Sequence, residues 1–144
     1  MIAVDTNVLI YSHREESPWH AAAKAQIDGL RQAPAPWAIP WPCIHEFIAI
    51  VTNPRIFTTP TPLASAFAAM RAWEAAGNLH LIAESPGYLE KLEQLSRAAN
   101  LAGARIHDAR IAALCLHHGV RELWTADRDF SLFPQLTTRN PLVT

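Results

Sequence analysis

Residues 2–10, IAVDTNVLI, indicate the class of fold, because they join a short apolar strand to a helix through a polar turn. Ile2-Ala3-Val4 has the apolar character of a buried strand. Val8-Leu9-Ile10-Tyr11 continues as a short helix after Asp5-Thr6-Asn7. A strand followed directly by a helix is the first half of a βαβ unit, so this stretch predicts a parallel sheet.

The rest of the chain repeats the alternation of strands and helices. Further strands are predicted at residues 37–39, 79–82, 122–125 and 136–138. Longer helices are predicted at residues 18–33 (with Ser17 as N-cap), 42–52, 63–76, 86–99 and 106–118. Strands that alternate with helices imply crossovers that cover both faces of a sheet. The predicted class is therefore a three-layer α/β/α domain with a central, mainly parallel sheet.

Length and composition limit the possible classes of protein. The 144 residues predict one domain spanning residues 1–144. Half the residues are hydrophobic and 17% are charged, which excludes a disordered chain. The net charge of −1 excludes a generally basic nucleic-acid binder. Most of the positively charged residues are arginines, but this bias does not indicate what the protein binds.

The sequence also predicts the compartment. No apolar run approaches the ~18–20 residues of a membrane span, and the start lacks the pattern of a signal peptide. Cys43 and Cys115 lie in apolar helical patterns and are expected to be core thiols. The expected location is the cytoplasm, with no membrane contact.

Four acidic residues far apart in the sequence fall where functional sites form in open parallel sheets. Asp5 and Asp127 each follow a predicted strand, whereas Glu46 and Asp108 lie in the early turns of helices. Strand carboxyl ends and helix N-termini meet at the same edge of such a sheet. The sequence thus predicts that the four carboxylates share one rim, with Asp129 close to Asp127.

Each acid also has a structural explanation. Asp5 could be a helix N-cap, and the segment at residues 127–129 could be a turn. Glu46 and Asp108 could be carboxylates that gain ~0.3–1 kcal/mol from a helix dipole. Explaining all four in this way is less favoured, because Asp5 and Asp108 interrupt otherwise apolar segments.

If the four acids lie close together in the fold, their negative charges must be neutralised. Two carboxylates ~4 Å apart repel by about 4 kcal/mol at an effective dielectric of 20, against a typical stability of ~5–15 kcal/mol. Paired acids can share a proton. A divalent cation is the better answer for three or four acids, and all-oxygen ligands select Mg²⁺ or Mn²⁺.

Four ordered motifs carry these acids, namely DTNVLI at residues 5–10, Glu46 in an apolar helix, DARIAA at 108–113 and TADRDF at 125–130. Together they resemble the PIN-domain ribonucleases, and more closely the VapC toxins of bacterial toxin–antitoxin pairs. The similarity reaches from Asp5 to the closing Asn140-Pro141-Leu142. One motif alone would be a weak signal, whereas their order and spacing are distinctive.

The resemblance implies roles for particular residues. Asp5, Glu46, Asp108 and Asp127 would be the catalytic and metal-binding residues, with Asp127 either lining the pocket or binding a second ion. Thr6, Asn7, Thr125 and Asp129 would support the site.

The resemblance also implies an activity and partners. Such enzymes use Mg²⁺, for which Mn²⁺ can substitute, to cleave RNA through an activated water, leaving 5′-phosphate and 3′-hydroxyl ends. The RNA is often tRNA or another structured RNA. They form homodimers and are silenced by a cognate VapB antitoxin, whose C-terminal tail enters the site.

Other side chains are weaker candidates. His45 and His107 directly precede acids, and neighbouring helix positions do not share a face, so neither is expected to be a metal ligand. The five tryptophans are expected in the core or a dimer interface rather than against bases. Four arginines could contact phosphate only at the acidic rim, namely Arg14, Arg55, Arg110 and Arg128.

Two other functions remain open from the sequence. A non-catalytic module that binds RNA or a partner is one. An aspartyl-phosphate phosphotransferase is less favoured. The dehalogenase pattern needs a second acid at the position where Asn7 stands. The receiver pattern needs a late lysine at the end of a strand, whereas Lys91 lies in a predicted helix.

Overall fold

Five strands form one parallel sheet in the computed structural model, which describes residues 1–143. The strands are β1 (Ile2–Val4), β2 (Trp37–Pro40), β3 (Leu79–Ile82), β4 (Glu122–Trp124) and β5 (Thr137–Arg139). Their order across the sheet is β3-β2-β1-β4-β5, and every neighbouring pair is parallel. The predicted parallel sheet is confirmed.

Six α-helices in the described residues connect and cover these strands. They are α1 (Thr6–His13), α2 (His20–Gln32), α3 (Trp41–Val51), α4 (Leu63–Glu74), α5 (Tyr88–Ala98) and α6 (Ile106–His117). Helices α1 to α4 accompany the crossovers from β1 outward to β3, and α5 and α6 accompany the return to β4. Because such crossovers are right-handed, the two groups cover opposite faces. The three-layer α/β/α class is confirmed.

Three predicted helix starts were wrong for local reasons. Helix α1 begins earlier than expected, because Asp5 caps it by accepting the N–H of Thr6. Helix α2 begins at His20, because the Ser17 hydroxyl accepts the N–H of Trp19 in a turn instead of capping a helix. Helix α5 begins after Gly87, whose φ of +94° is incompatible with a helical turn.

The core lies on both faces of the central strands. Ala3, Val4 and Leu123 of β1 and β4 are completely buried. Both cysteines are buried free thiols, as predicted. Of the tryptophans, Trp37, Trp73 and Trp124 are buried, whereas Trp19 and Trp41 are exposed. No helix within residues 1–143 is long and apolar enough to cross a membrane.

The sheet topology indicates where a ligand site is expected. Strand β1 is central, and the chain leaves it toward β2 on one side and returns to β4 on the other. Ligand sites in open parallel sheets form at such a switch point, beyond the strand carboxyl ends. Val4 is paired with Trp124 in the register, so the chain segments after β1 and β4 emerge side by side.

Candidate active site

A cleft of about 500 Å³ opens beyond the carboxyl ends of β1 and β4. The structure brings together in its lining the four acids that the sequence singled out, Asp5, Glu46, Asp108 and Asp127. Thr6 and Asn7 also line the cleft. Four elements supply the acids, namely the ends of β1 and β4 and helices α3 and α6. The cleft is therefore a product of tertiary structure.

Asp5 is the most buried of the four acids, with 7% of its surface exposed. Its Oδ1 accepts the backbone N–H of Thr6 at 2.8 Å, which caps α1. Its Oδ2 accepts the Thr125 hydroxyl, also at 2.8 Å. The Cys43 thiol lies 3.5 Å from Oδ1 and donates to it. Asp5 is thus an N-cap, as its structural explanation holds, and it also lines the cleft.

Thr125 connects the two strand ends. While its hydroxyl donates to Asp5, its Oγ1 accepts the Asn7 amide at 3.2 Å and the backbone N–H of Asp127 at 3.0 Å. The Asn7 carbonyl oxygen accepts the N–H of Ala126 at 3.2 Å. These bonds fix the loop after β4 against the start of α1, and so fix Asp127 relative to Asp5.

Asp127 and Asp129 occupy different environments. Asp127 is partly buried in the cleft, and its Oδ1 accepts the backbone N–H of Asp129 at 2.8 Å. It thereby caps a 3₁₀ turn at Arg128–Leu132, so the turn interpretation of this segment is also correct. Asp129 is exposed and is not among the described residues that line the cleft.

Glu46 and Asp108 face the cleft from two helices. Glu46 is exposed in α3, whereas Asp108 is partly buried in the first turn of α6. Partial burial raises the pKa of Asp108, and the nearby charges of Asp127 and Asp129 raise it further. The acids are therefore close enough for one to oppose the ionisation of another.

Burial is the main influence on the pKa of Asp5. Desolvation raises the pKa of the Asp5 carboxyl, and the charge of Glu46 adds to the increase. The hydrogen bonds from Thr125, Thr6 and Cys43 act in the opposite direction, because they stabilise the carboxylate. A positive charge in the cleft would oppose the effects of burial and of the neighbouring acid.

The donor set fits a hard divalent cation. As placed, no three His, Cys, Asp or Glu side chains within residues 1–143 form a group that could hold a metal ion. Mg²⁺ does not require such a group, because it keeps several waters and is usually held by one or two carboxylates together with substrate phosphates. Carboxylate oxygens around a water-accessible cleft match that preference.

Three cationic or titratable side chains line the same cleft. His45 and His107 are exposed beside Glu46 and Asp108, so both histidines reach the cleft despite their adjacent helix positions. Arg110 also lines it and forms an ion pair with Glu84, just after β3. From the sequence, Arg110 was a candidate phosphate contact only if it lay at the acidic rim, and its partner Glu84 was not predicted. Its position two residues after Asp108 was the one indication that it could lie near the acids.

The other candidate arginines are not among the described residues lining this cleft. Arg14 lies in a separate concavity of about 660 Å³, where it donates to Thr61 and to the Thr59 carbonyl. Its guanidinium also stacks on Phe57 at 4.1 Å from the ring centre. Arg14 therefore anchors the loop before α4. Arg55 and Arg128 are exposed.

Comparisons with known proteins agree with this architecture. Residues 2–135 match the PIN domain family. The chain is 34% identical over 142 residues to the VapC ribonuclease Mb2897 of Mycobacterium bovis, which covers 99% of this chain and 96% of the relative.

Solved structures show the same fold at lower identity. A chain of VapBC2 from Rickettsia felis, bound to a DNA fragment from its promoter, superposes with a TM-score of 0.69 at 16% identity, covering 96% of this chain and 98% of that one. Mycobacterium tuberculosis VapC20, a toxin that cleaves the sarcin–ricin loop, superposes with a TM-score of 0.65 at 20% identity, covering 91% and 93%.

Proposed function

Because the chain belongs to the PIN domain family and, within it, to the VapC ribonucleases, we propose that it is a divalent-metal-dependent endoribonuclease acting at the four-carboxylate cleft. The observation that carries this proposal is the meeting of Asp5, Glu46, Asp108 and Asp127 in one cleft. The raised pKa values of Asp5 and Asp108 support it, since a bound cation would favour the ionised forms.

Asp5 and Asp108 are the proposed principal metal ligands, with Glu46 and Asp127 completing the polar shell. Mg²⁺, or Mn²⁺ in its place, would supply Lewis acidity toward a phosphoryl oxygen and lower the pKa of a bound water. Thr125 and Asn7 orient the Asp5 carboxylate, because the Thr125 hydroxyl donates to its Oδ2 at 2.8 Å and the Asn7 amide donates to the same oxygen at 3.4 Å. Such outer partners fix the direction of a ligand and tune its basicity.

The protein's own groups would also handle the proton. Glu46 or Asp127, which complete the polar shell of the cleft, would accept it from the attacking water. Asp127 would stay fixed by the N–H of Asp129, which gives Asp129 its supporting role. Hydrolysis would leave 5′-phosphate and 3′-hydroxyl ends.

The experiment that tests this function is cleavage of a total tRNA pool, with Mg²⁺ and with EDTA. We expect defined fragments from the wild-type protein with Mg²⁺ and none with EDTA or with Asp5→Asn. Mapping the ends of the fragments identifies the bond that is cut. Equal cleavage by Asp5→Asn would refute the assignment. RNA binding with no cleavage under any metal condition would favour a non-catalytic RNA-binding module.

The proposed partners are a VapB-like antitoxin, an RNA substrate and a second copy of the chain, in the cytoplasm. The antitoxin is supported by the likeness to toxins solved in toxin–antitoxin complexes. Leu63 and Phe67 of α4 are 60% and 42% exposed, an apolar surface that a partner would cover. A short reading frame just upstream of this gene, whose product co-purifies with the chain and stops cleavage, would identify the antitoxin. Sedimentation of the isolated chain tests the homodimer.

A further inference from the structure

Arg110 occupies a distinctive electrostatic position in the cleft. Among the described residues of its lining, Arg110 is the one whose side chain is a permanent cation, and it stands among four carboxylates. A cleft with this charge repels RNA phosphates unless cations oppose them. A guanidinium has the fork geometry that suits phosphate oxygens.

The present partner of Arg110 is a carboxylate. Its Nε donates to Oε1 of Glu84 at 3.2 Å, and its Nη2 lies 3.1 Å from the same oxygen. The backbone N–H of Glu84 and the Arg110 guanidinium both lower the pKa of Glu84, so that carboxyl is ionised at neutral pH. A guanidinium can hold a phosphate with the same two donors, set on two oxygens instead of one.

This ion pair is easily exchanged. The Arg110 and Glu84 side chains are 39% and 43% exposed, and pairs in such positions contribute little to stability. Glu84 lies between β3 and α5 and is not among the described cleft residues. Arg110 can therefore leave Glu84 for an anion inside the cleft without a large loss of stability.

We propose that Arg110 binds a phosphate of the RNA beside the acidic cluster, and that Glu84 positions Arg110 in the free protein and competes with that phosphate. The proposal rests on the proposed ribonuclease function. The two residues should then affect RNA binding in opposite directions. If the pair only fastened α6 to the loop after β3, breaking it from either side would have the same effect.

The test measures binding of a short fluorescein-labelled oligouridylate to Asp5→Asn protein, so that cleavage does not interfere. In that background Arg110→Ala should weaken binding about 10-fold, as for a lost charged hydrogen bond. It should also lower the salt dependence by about one phosphate contact. Glu84→Gln should tighten binding by about 2–5-fold. Arg110→Lys should recover only part of the loss, because an ammonium lacks the fork.

Matched controls come from a second ion pair. On α5, Nη2 of Arg97 lies 3.0 Å from Oε2 of Glu93, and neither residue is among the described cleft residues. Arg97→Ala and Glu93→Gln make the same charge changes and should leave binding unchanged. Unchanged binding by Arg110→Ala, or weakened binding by Glu84→Gln, overturns the inference. Wild-type cleavage of tRNA is scored separately, so either result leaves the ribonuclease assignment standing if cleavage occurs.

Discussion

The Thr125 hydroxyl donates a hydrogen bond of 2.8 Å to Oδ2 of Asp5, a residue 120 positions away in the chain. Parallel pairing of β1 with β4 creates this contact, because it sets Val4 beside Trp124 and so the next residues side by side. The bond holds a buried carboxylate in one orientation. Several consequences of that arrangement can be measured.

Removing the Thr125 hydroxyl should weaken the site and the fold together. Thr125→Val keeps the side-chain shape but removes the bond to Asp5 and the two bonds that Oγ1 accepts from Asn7 and Asp127, which should cost about 1–3 kcal/mol in urea unfolding. Mg²⁺ affinity should fall as well. Thr125→Ser should retain both properties, and Thr138→Val, at an exposed position of β5, is the control. No change in Thr125→Val would mean that the bond is unimportant.

Neutralising the central acids should separate activity from stability. Asp5→Asn and Asp108→Asn should abolish RNA cleavage while the metal-free proteins unfold at the wild-type temperature or higher. An increase in Tm of ~3 °C would correspond to roughly 1 kcal/mol for a domain of this size. The physical reason is that burial and neighbouring acids oppose ionisation at both positions. Asparagine also remains a good N-cap at position 5. Unfolding of both variants would show that the carboxylates are structural.

Asp5 and Asp108 should contribute to the stability of the metal-free protein at acid pH, and this contribution should be lost as the pH rises toward neutral. The pKa values of Asp5 and Asp108 are raised in the folded state, so the native protein binds more protons than the unfolded chain between the two sets of values. The contribution of these carboxyls to the free energy of unfolding is complete below their pKa in the unfolded chain. It is lost as the pH rises through their pKa in the folded protein. Urea unfolding in EDTA across this pH range measures it. Asp5→Asn/Asp108→Asn should remove this contribution, and an identical pH dependence of unfolding in that variant and in the wild type would contradict the prediction.

Mg²⁺ should stabilise the wild-type protein. A ligand at 100 times its Kd adds about 2.7 kcal/mol if it binds only the folded state. Thermal unfolding during a Mg²⁺ titration should therefore show a rising Tm, and Mn²⁺ should act similarly. The increase should be much smaller for Asp5→Asn. Equal increases in both proteins would place the bound cation outside the cleft.

The two thiols should be inert in the folded protein. Burial raises the pKa of Cys43 well above its ordinary value and that of Cys115 to about 12. Since the thiolate is the reactive form, a disulfide reagent at pH 8 should modify neither residue until urea is added. Rapid modification of the native protein would contradict their burial.

Much of the fold follows from local pattern. The strand at residues 79–82 was predicted at its observed bounds, and the helix from Ile106 was one residue too long. Hydrophobic periodicity and the glycine after α6 suffice for such elements. The starts of α1 and α2 were misplaced, because whether Asp5 or Ser17 caps a helix depends on which N–H each side chain meets.

Local sequence pattern was enough to predict the class of the fold, and to place Asp5 and Asp127 after strands and Glu46 and Asp108 within helices. Tertiary structure alone decided which polar side chains face them. The pairing of Asp5 with Thr125, the separation of Arg14 from the cleft and the ion pair of Arg110 with Glu84 join residues that no local pattern relates. The physical reason is that alternation of strands and helices is encoded over a few residues, whereas contacts between side chains depend on strand order and register across the whole sheet.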